Sequence, residues 1–420
     1  MRSGAEHPER FRKYDVAIVG AGPSGSTAAY HLSRAGARVL LLDRARFPRD
    51  KPCGGGVTAR ARAQAPVDLA PVVEQVIDTV RFSFRLGDFF DYTYPRELVY
   101  MTQRHRLDAF LAESAARAGA DFDDDTHVRS IDLGSDGVTL DADGVAVQAR
   151  VLIGADGANG IVARAAGLKP VTEPPVALEA NFPYEVVPAE WRGVLALELG
   201  SMAGGYGWSF PKADHFNVGC GGWRTEGGRL RDHLGALRDH YGLAGETMVN
   251  VRGHHLPTRT AGAPIVRDRV LLVGDAAGLV DPMSGEGIYS AFVSGRLAAT
   301  AALDYLNGCT KDLGPYAAAV DYELMRDIRA AELLRDAYHY TPWPCYQAMK
   351  RSETLRRTLC RLITGETSYA GVLRTLRPLV PALRFWAARG RAARPHASAQ
   401  QPPPNQPLSV YGEGSPEGRG

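Results

Sequence analysis

Asp15-Val-Ala-Ile-Val-Gly20-Ala-Gly22-Pro-Ser-Gly25 is a short apolar run that breaks into three glycines and then into residues suited to a helix reaching about Ala35. Gly36 stops that helix, and Ala37 to Leu42 is a second apolar run that ends at Asp43. Strand, glycine turn, helix and strand in this order predict two parallel neighbours in one sheet. The glycines have separate tasks. Gly20 permits the tight turn, Gly22 lets the backbone approach a pyrophosphate, and Gly25 lets the helix pack close to the strand. The helix N-terminus offers N–H donors to phosphate oxygens. An acid about twenty residues on, at a strand end, is placed for a ribose hydroxyl, and Arg44 beside it is counted with the same contacts.

That fingerprint serves NAD and FAD alike. The distinction comes from Gly274-Asp275-Ala-Ala-Gly278, which follows another buried strand, Arg269 to Val273. Asp281-Pro-Met-Ser-Gly285-Glu-Gly287-Ile288 comes next and opens a helical pattern. A second strand-end acid suits a ribityl chain, and a helix starting at Gly287 stabilises charge at the carbonyl end of a flavin ring through its dipole. Two distant segments converging on one cofactor point to FAD. Ala155-Asp156-Gly157, after the strand Arg150 to Gly154, reads as a buttress of the same domain. Asp108 to Ala118 has helical spacing, with Arg104 just ahead of it and within reach of the flavin or its pyrophosphate. Two Asp-Gly pairs between Ile131 and Ala149 predict an antiparallel meander.

Between 170 and 260 the chain is rich in Gly, aromatic and β-branched residues, as in a β-rich second domain. Tyr206-Gly-Trp-Ser-Phe-Pro211 and Phe216-Asn-Val-Gly219 read as strands joined at Ala213-Asp214-His215. Alternation places Tyr206, Trp208 and Phe210 on one face. Such a face lines either an apolar ligand pocket or an ordinary core. His254-His255 lacks metal-ligand spacing, so no metal is expected.

The 420 residues, 45% apolar and 23% charged, suit a multidomain globular protein. No apolar run reaches membrane-spanning length. The polar first fourteen residues and five scattered cysteines predict a cytoplasmic protein. The net charge of +2 hides an asymmetry: Lys350 to Arg394 holds eleven Lys/Arg against two Asp/Glu. Leu373 to Trp386 mixes apolar residues with Arg374, Arg377 and Arg384. This reads as a peripheral contact with the inner membrane face through 370–394, or as a helical cap; Pro378 and Pro381 oppose one continuous helix. No nucleic-acid partner is expected. Pro395 onward reads as a disordered tail.

Pro52-Cys53-Gly54-Gly55-Gly56, Tyr206-x-Trp208-x-Phe210-Pro211-Lys212 and Gly274-Asp275 through Ile288 resemble the geranylgeranyl reductase family, over about residues 14 to 345. The resemblance implies FAD-dependent saturation of isoprenoid double bonds, with NADPH or a ferredoxin as electron donor. It implies an α/β (α+β overall) fold like that of p-hydroxybenzoate hydroxylase. The FAD-binding domain would take 14–80, 100–168 and 262–310. The β-rich catalytic domain would take 81–99 and 169–261, with a helical region over 311–394 and flexible ends at 1–13 and 395–420. Flavin contacts carried over fall on Gly25, Asp43, Cys53, Gly54, Gly55, Arg104, Val128, Asp275, Gly287 and Ile288. Gly20 and Gly22 join them from the fingerprint. Cys53 would lie over the reactive face of the flavin. Cys53, Tyr206 and Trp208 are the candidate catalytic residues, and Tyr206, Trp208 and Phe210 would line the prenyl pocket. Many family members carry an acid within the cysteine–glycine run where this chain has Gly55, so the loop supplies no acidic donor. Tyr206, Cys53, an ordered water and the flavin itself stay open as proton sources. Two rivals remain: a flavin monooxygenase or halogenase, whose WxWxIP motif the aromatic strand partly echoes, and a non-catalytic prenyl-lipid binder that keeps FAD structurally.

Overall fold

A computed structural model describes residues 12–171 and 174–392. Arg12–Val19 is the inner strand of an eight-stranded sheet, paired in parallel with Val145–Gly154 on one side and Val39–Leu42 on the other. Val16, Ala17 and Ile18 are wholly inaccessible, as expected for a parallel strand covered on both faces. Val270–Leu272 and Asp121–Asp123 extend the parallel part outward. The meander forms as expected. Val128–Leu133 and Val138–Ala142 run antiparallel into Val145–Gly154, and the Asp143-Gly144 turn has positive φ at both residues.

Helix Pro23–Arg34 follows the glycine turn, and Ile288–Leu306 and Arg104–Arg117 pack against it. Gly295 makes the first contact close: a Cβ there would sit 2.5 Å from the Ser24 carbonyl oxygen. The third helix begins at Arg104, four residues before the position expected from apolar spacing. Its first turn is charged and is held by an Arg104–Asp108 pair, a feature the apolar pattern does not register.

The second sheet has seven strands, in the spatial order Val249–His255, Val176–Pro183, His215–Gly222, Tyr206–Pro211, Leu195–Leu199, Thr79–Phe84, Phe89–Thr93. Helix Leu230–His240 covers one face, burying Leu234 and Leu237 against Phe182, Phe216, Val218 and Cys220. The register aligns Glu179, Gly219 and Trp208 across three strands, and Asn181, Asn217 and Phe210 in the next row. Both rows lie on the opposite face, which turns toward the dinucleotide-binding sheet. Farther along this face Val80, Phe82 and Leu195 meet Tyr346, Met349 and Cys360 from the C-terminal helices. A small sheet of Gly56–Thr58, Val99–Met101 and Gln75–Ile77 carries the chain between the two large ones.

The C-terminal region is helical from Gly314, but its start is not a separate layer: Tyr316, Val320 and Ile328 belong to the main dinucleotide-domain core. Helices Pro342–Arg351 and Glu353–Thr364 cap the apolar face of the second sheet. The proline argument holds at 369–392, where Tyr369–Thr375 and Val380–Ala392 are separate helices with Pro378 between them. Among the described residues no helix is long and apolar enough to cross a membrane. The tail expected from Pro395, and the expected flexible start apart from Arg12 and Lys13, lie outside the described residues.

Candidate functional site

Gly20 adopts φ +104°, and a Cβ there would overlap the Ala155 carbonyl, so the turn closes directly onto the neighbouring strand end. Gly25 is equally constrained, by the carbonyl of Gly20. Asp43 ends its strand with one carboxylate oxygen accepting from Ala21 N at 2.9 Å and the other from Ala45 N at 3.0 Å. A carboxylate has about four acceptor directions, so Asp43 organises the turn and retains capacity for a hydroxyl. The first N–H groups of helix Pro23–Arg34 point into this corner without intrahelical partners.

A line of alternating charge leaves this corner. The Arg49 guanidinium reaches Asp43 at 3.4 Å and Asp108 at 2.9 Å. Asp108, wholly inaccessible, accepts two bonds from Arg104 at 2.8 and 2.7 Å. Burial works against the Arg104 charge, but the adjacent Asp108 carboxylate outweighs it and holds the guanidinium pKa above its ordinary value, with the Cys53 thiol as a further neighbour. Burial likewise opposes the Asp108 charge, and the Arg104 and Arg49 cations overcome it, holding that carboxyl below the usual range.

The second acid, Asp275, sits in the glycine turn Gly274–Ala277, with Lys51 Nζ at 3.0 Å. His254 Nε2 is 3.7 Å away, outside hydrogen-bond reach but close enough for a Coulombic effect. Burial disfavours its charge, yet Lys51 and His254 hold the Asp275 carboxyl far below its ordinary range. A Cβ on Gly287 would lie 3.2 Å from Asp275 Oδ1, so the start of helix Ile288–Leu306 and this acid share one small space. A cavity of about 350 Å³ continues past Asp275, lined by Gly157, Asn159, Gly160, Arg164 and Lys169 among others. Asp156 lies behind Gly160, where a Cβ would overlap its carboxyl. One oxygen accepts from Val162 N at 2.9 Å, and the other is buried with no hydrogen-bond partner.

The Cys53 loop lies between these strand ends and the aromatic face. A Cβ on Gly54 would sit 2.5 Å from Phe210 Cδ2, so the loop rests directly on that ring. Gly55 has φ +63°, and a Cβ there would overlap the Thr102 carbonyl and come 2.5 Å from Lys212 Nζ. That crowding explains the glycine where an acid is common: no side chain fits. Lys212, 2% exposed, donates to the carbonyls of Gly54 and Thr102, the latter at 3.0 Å. Cys53 N donates to Glu179 Oε1 at 3.0 Å. Burial pushes the Glu179 carboxyl up to about 7 and the Lys212 ammonium down to about 8.

Tyr206, Trp208 and Phe210 do share a face, with successive ring centroids 6.1 Å apart. Tyr206 O–H donates to the carbonyl of Ser284, and Trp208 Nε1 donates to Asn217 Oδ1 at 2.8 Å. The turn bearing Ser284 is fixed by Asp281 Oδ1, which accepts from Met283 N and Ser284 N, and by Arg60, which grips Asp281 and Glu286.

The residues fit an adenine dinucleotide carrying a flavin. Gly22, Asp43 and Arg49 stand at one end, and Asp275, Gly287 and Ile288 at the other. Between them lie Cys53, Glu179 and Tyr206, each partly exposed. When bound, FAD supplies the two-electron hydride chemistry that no side chain can. Of the sequence-assigned residues, Cys53, Gly54, Gly55, Arg104, Tyr206, Trp208 and Phe210 come together at the loop. Val128 begins a strand two residues after Thr126, whose N–H bonds the Asp43 carbonyl, so it lies near the adenine end. Arg44 is exposed, and Arg49 is the arginine facing Asp43 and Gly22. Sequence reasoning missed Arg49, Lys51, Glu179, Lys212 and His254. Lys212 carried a signal, as the last residue of the aromatic motif, but no role was assigned to it.

Residues 13–190 match the family model described as FAD binding domain. The geranylgeranyl diphosphate reductase of Rhodobacter capsulatus is 32% identical over 350 residues, 78% of this chain and 85% of that protein. A geranylgeranyl bacteriochlorophyll reductase-like structure from Thermoplasma acidophilum superposes with a TM-score of 0.71 at 25% identity, covering 78% of this chain and 88% of its own. A flavin-dependent brominase superposes with a TM-score of 0.72 at 20% identity, over 91% of this chain and all of its own, a likeness of fold.

Proposed function

Because the chain belongs to the geranylgeranyl reductase family of FAD-dependent oxidoreductases, we propose that it saturates carbon–carbon double bonds of a polyprenyl chain. One observation carries the reading to this particular chain: the strand ends and glycine turns suited to FAD meet the apolar face of Tyr206, Trp208 and Phe210 at the Cys53 loop. A prenyl chain offers only apolar surface, and its burial yields about 0.8 kcal/mol per methylene. Beyond Trp208 the same face continues through Leu197 and Phe82, where Tyr346 and the C-terminal helices pack against it. An isolated alkene is a poor electrophile, so the contribution of the protein is alignment in a water-poor space. Cys53, Tyr206 and Trp208 are assigned to the reacting zone and Phe210 to the pocket wall. The glycine turns, Asp43, Arg49, Arg104, Asp275, Gly287 and Ile288 are assigned to the cofactor.

The proposed domain division follows the two large sheets, with the β-rich part inserted between FAD-binding segments. NADPH is the proposed reductant, supported by Arg164 and Lys169 beside the cavity at Asp275, where they offer cations to phosphates. Peripheral membrane contact is proposed for the 370–394 surface. Leu379, Phe385 and Trp386 are exposed there, 40% or more each, among arginines.

Anaerobic single turnover tests the function. Enzyme reduced with dithionite is mixed with geranylgeranyl diphosphate or other prenyl lipids in detergent. The expected result is reoxidised flavin and product mass increments of two daltons. Reoxidation only after oxygen is admitted, with hydroxylated or halogenated product, would overturn the reading in favour of the brominase-like alternative.

A further inference from the structure

We propose that Glu179 is the proton source of this site, and that Lys212 is the buried cation that holds the Cys53 loop, to which the Glu179 carboxyl is bonded, in working position. The inference rests on the reductase reading and names a group that reading leaves open. Saturation of an alkene needs a hydride at one carbon and a proton at the other. FAD held here in its reduced form would supply the hydride, with the two electrons it carries. The alkene π pair would form the second C–H bond with a proton leaving the Glu179 carboxyl, and the resulting carboxylate, on a partly exposed residue, would be reprotonated by water.

Position is the first argument. Glu179 stands in the same cross-strand row as Trp208, separated from it only by Gly219. A Cβ on Gly219 would lie 2.5 Å from Trp208 Cε2, so the missing side chain is what lets the indole lie over that row. The carboxyl therefore sits on the aromatic face, bonded to the backbone of Cys53 at 3.0 Å.

Chemistry is the second. An acid working near neutral pH needs a pKa close to the working pH, and burial lifts Glu179 to about 7. Burial pushes the Tyr206 phenol well above its ordinary value, and its proton is committed to the Ser284 carbonyl. Lys212 is committed to two carbonyls.

Two cations and one backbone N–H act on Glu179, from three elements. Lys212 follows the aromatic strand, Arg252 is its cross-strand partner, held by Asp50 at 2.7 Å, and the Cys53 loop lies above. Glu74 faces Lys212. Since the Glu179 pKa is raised, the acid is present below pH 7 and is lost as pH rises through that value. Removing the Lys212 cation raises it further.

Full-length holoenzyme carrying Glu179→Gln, Glu179→Asp, Lys212→Met or Cys53→Ser is reduced anaerobically and mixed with geranylgeranyl diphosphate across pH. Glu179→Gln is expected to slow single turnover about 100-fold or more, to flatten the pH profile, and to leave FAD content unchanged. Glu179→Asp should restore part of the rate, and Lys212→Met should move the descending limb to higher pH. Infrared titration of the flavin-free protein provides a readout apart from activity: a carboxylic acid band lost near pH 7 in the wild type and absent in Glu179→Gln. A Glu179→Gln enzyme with wild-type rate and profile overturns the proposal. So does a pH limb that disappears in Cys53→Ser instead. If the wild-type flavin is not reoxidised by any prenyl alkene, the reductase reading itself falls, and the proposal with it.

Discussion

Asp108→Asn strikes the charge line between the dinucleotide corner and the Cys53 loop at its most buried point. Asp108 is wholly inaccessible and Arg104 is 5% exposed. The carboxylate accepts three charged hydrogen bonds, two from Arg104 and one from Arg49. An amide offers one acceptor and turns an NH2 group toward guanidinium donors, leaving the Arg104 charge buried without an anion. Removing one partner of such a pair costs about 3–5 kcal/mol. For roughly 380 described residues unfolding as one unit, an entropy of about 2.1 cal/mol/K per residue converts that to a drop in Tm of about 4–6 °C. The Asp108 pKa is depressed in the folded state, so its stabilisation is complete above the unfolded value near 4 and disappears as pH falls through the folded value. The gap between wild type and variant should be full at pH 7 and narrow in acid. Scanning fluorimetry at one heating rate, with and without FAD, measures it. A drop below 1 °C at pH 7, or a gap unchanged in acid, refutes the claim that this buried pair is a coupled unit. The double variant Arg104→Met/Asp108→Leu should recover most of the lost stability while remaining poor at retaining FAD, because it removes the charge along with its partner.

Gly54→Ala places a methyl 2.5 Å from Phe210; overpacking of about 1–3 kcal/mol should displace the loop and lower prenyl turnover, and Phe210→Leu in the same chain should recover part of it. Asp275→Asn leaves Lys51 and His254 facing an uncharged amide; FAD should dissociate about tenfold more readily, measured by loss of flavin absorbance on gel filtration. Phe385→Ala/Trp386→Ala should reduce co-sedimentation with phosphatidylserine vesicles without changing turnover of detergent-dispersed substrate, and wild-type binding should weaken with salt.

The dinucleotide half was open to reading because its determinants are local. A glycine that must adopt φ +104°, and an acid that must end a strand, are consecutive-residue constraints written over Asp15 to Asp43. The aromatic strand was readable for the same reason, since alternation needs only neighbours. Glu179 gave no comparable sign, and Lys212 only its place at the end of the aromatic motif. Glu179 sits amid alternating residues of an ordinary antiparallel strand, and its importance arises only when residue 53 arrives from 126 positions away to donate its N–H. Arg49 and Lys51 lie in a stretch of mixed charge with proline and glycine, where no local pattern marks a role. In the fold they are the cations beside Asp43, Asp108 and Asp275. The start of helix Arg104–Arg117 was misplaced because an ion pair, not an apolar stripe, holds its first turn.

These placements give the cleft two chemically different walls. Parallel strands end in acids and in glycine turns, so the dinucleotide wall is polar, and Arg49, Lys51 and Arg104 offset the acids. The facing wall is an antiparallel sheet whose side chains stand perpendicular to it, and in this chain they are Tyr206, Trp208 and Phe210 with the carboxyl of Glu179 at their edge. A molecule with no polar atom along its length can be held only by the second wall, and an anionic dinucleotide only by the first. The Cys53 loop is glycine-rich because it must pass between them: Gly54 lies on Phe210, and Gly55 lies against the Thr102 carbonyl and the Lys212 ammonium. Lengthening a side chain in that loop would therefore push the two walls apart, so on the proposed reading loop thickness is a geometric condition for transfer, and any substitution at Gly54 or Gly55 should lower turnover more than it lowers FAD content.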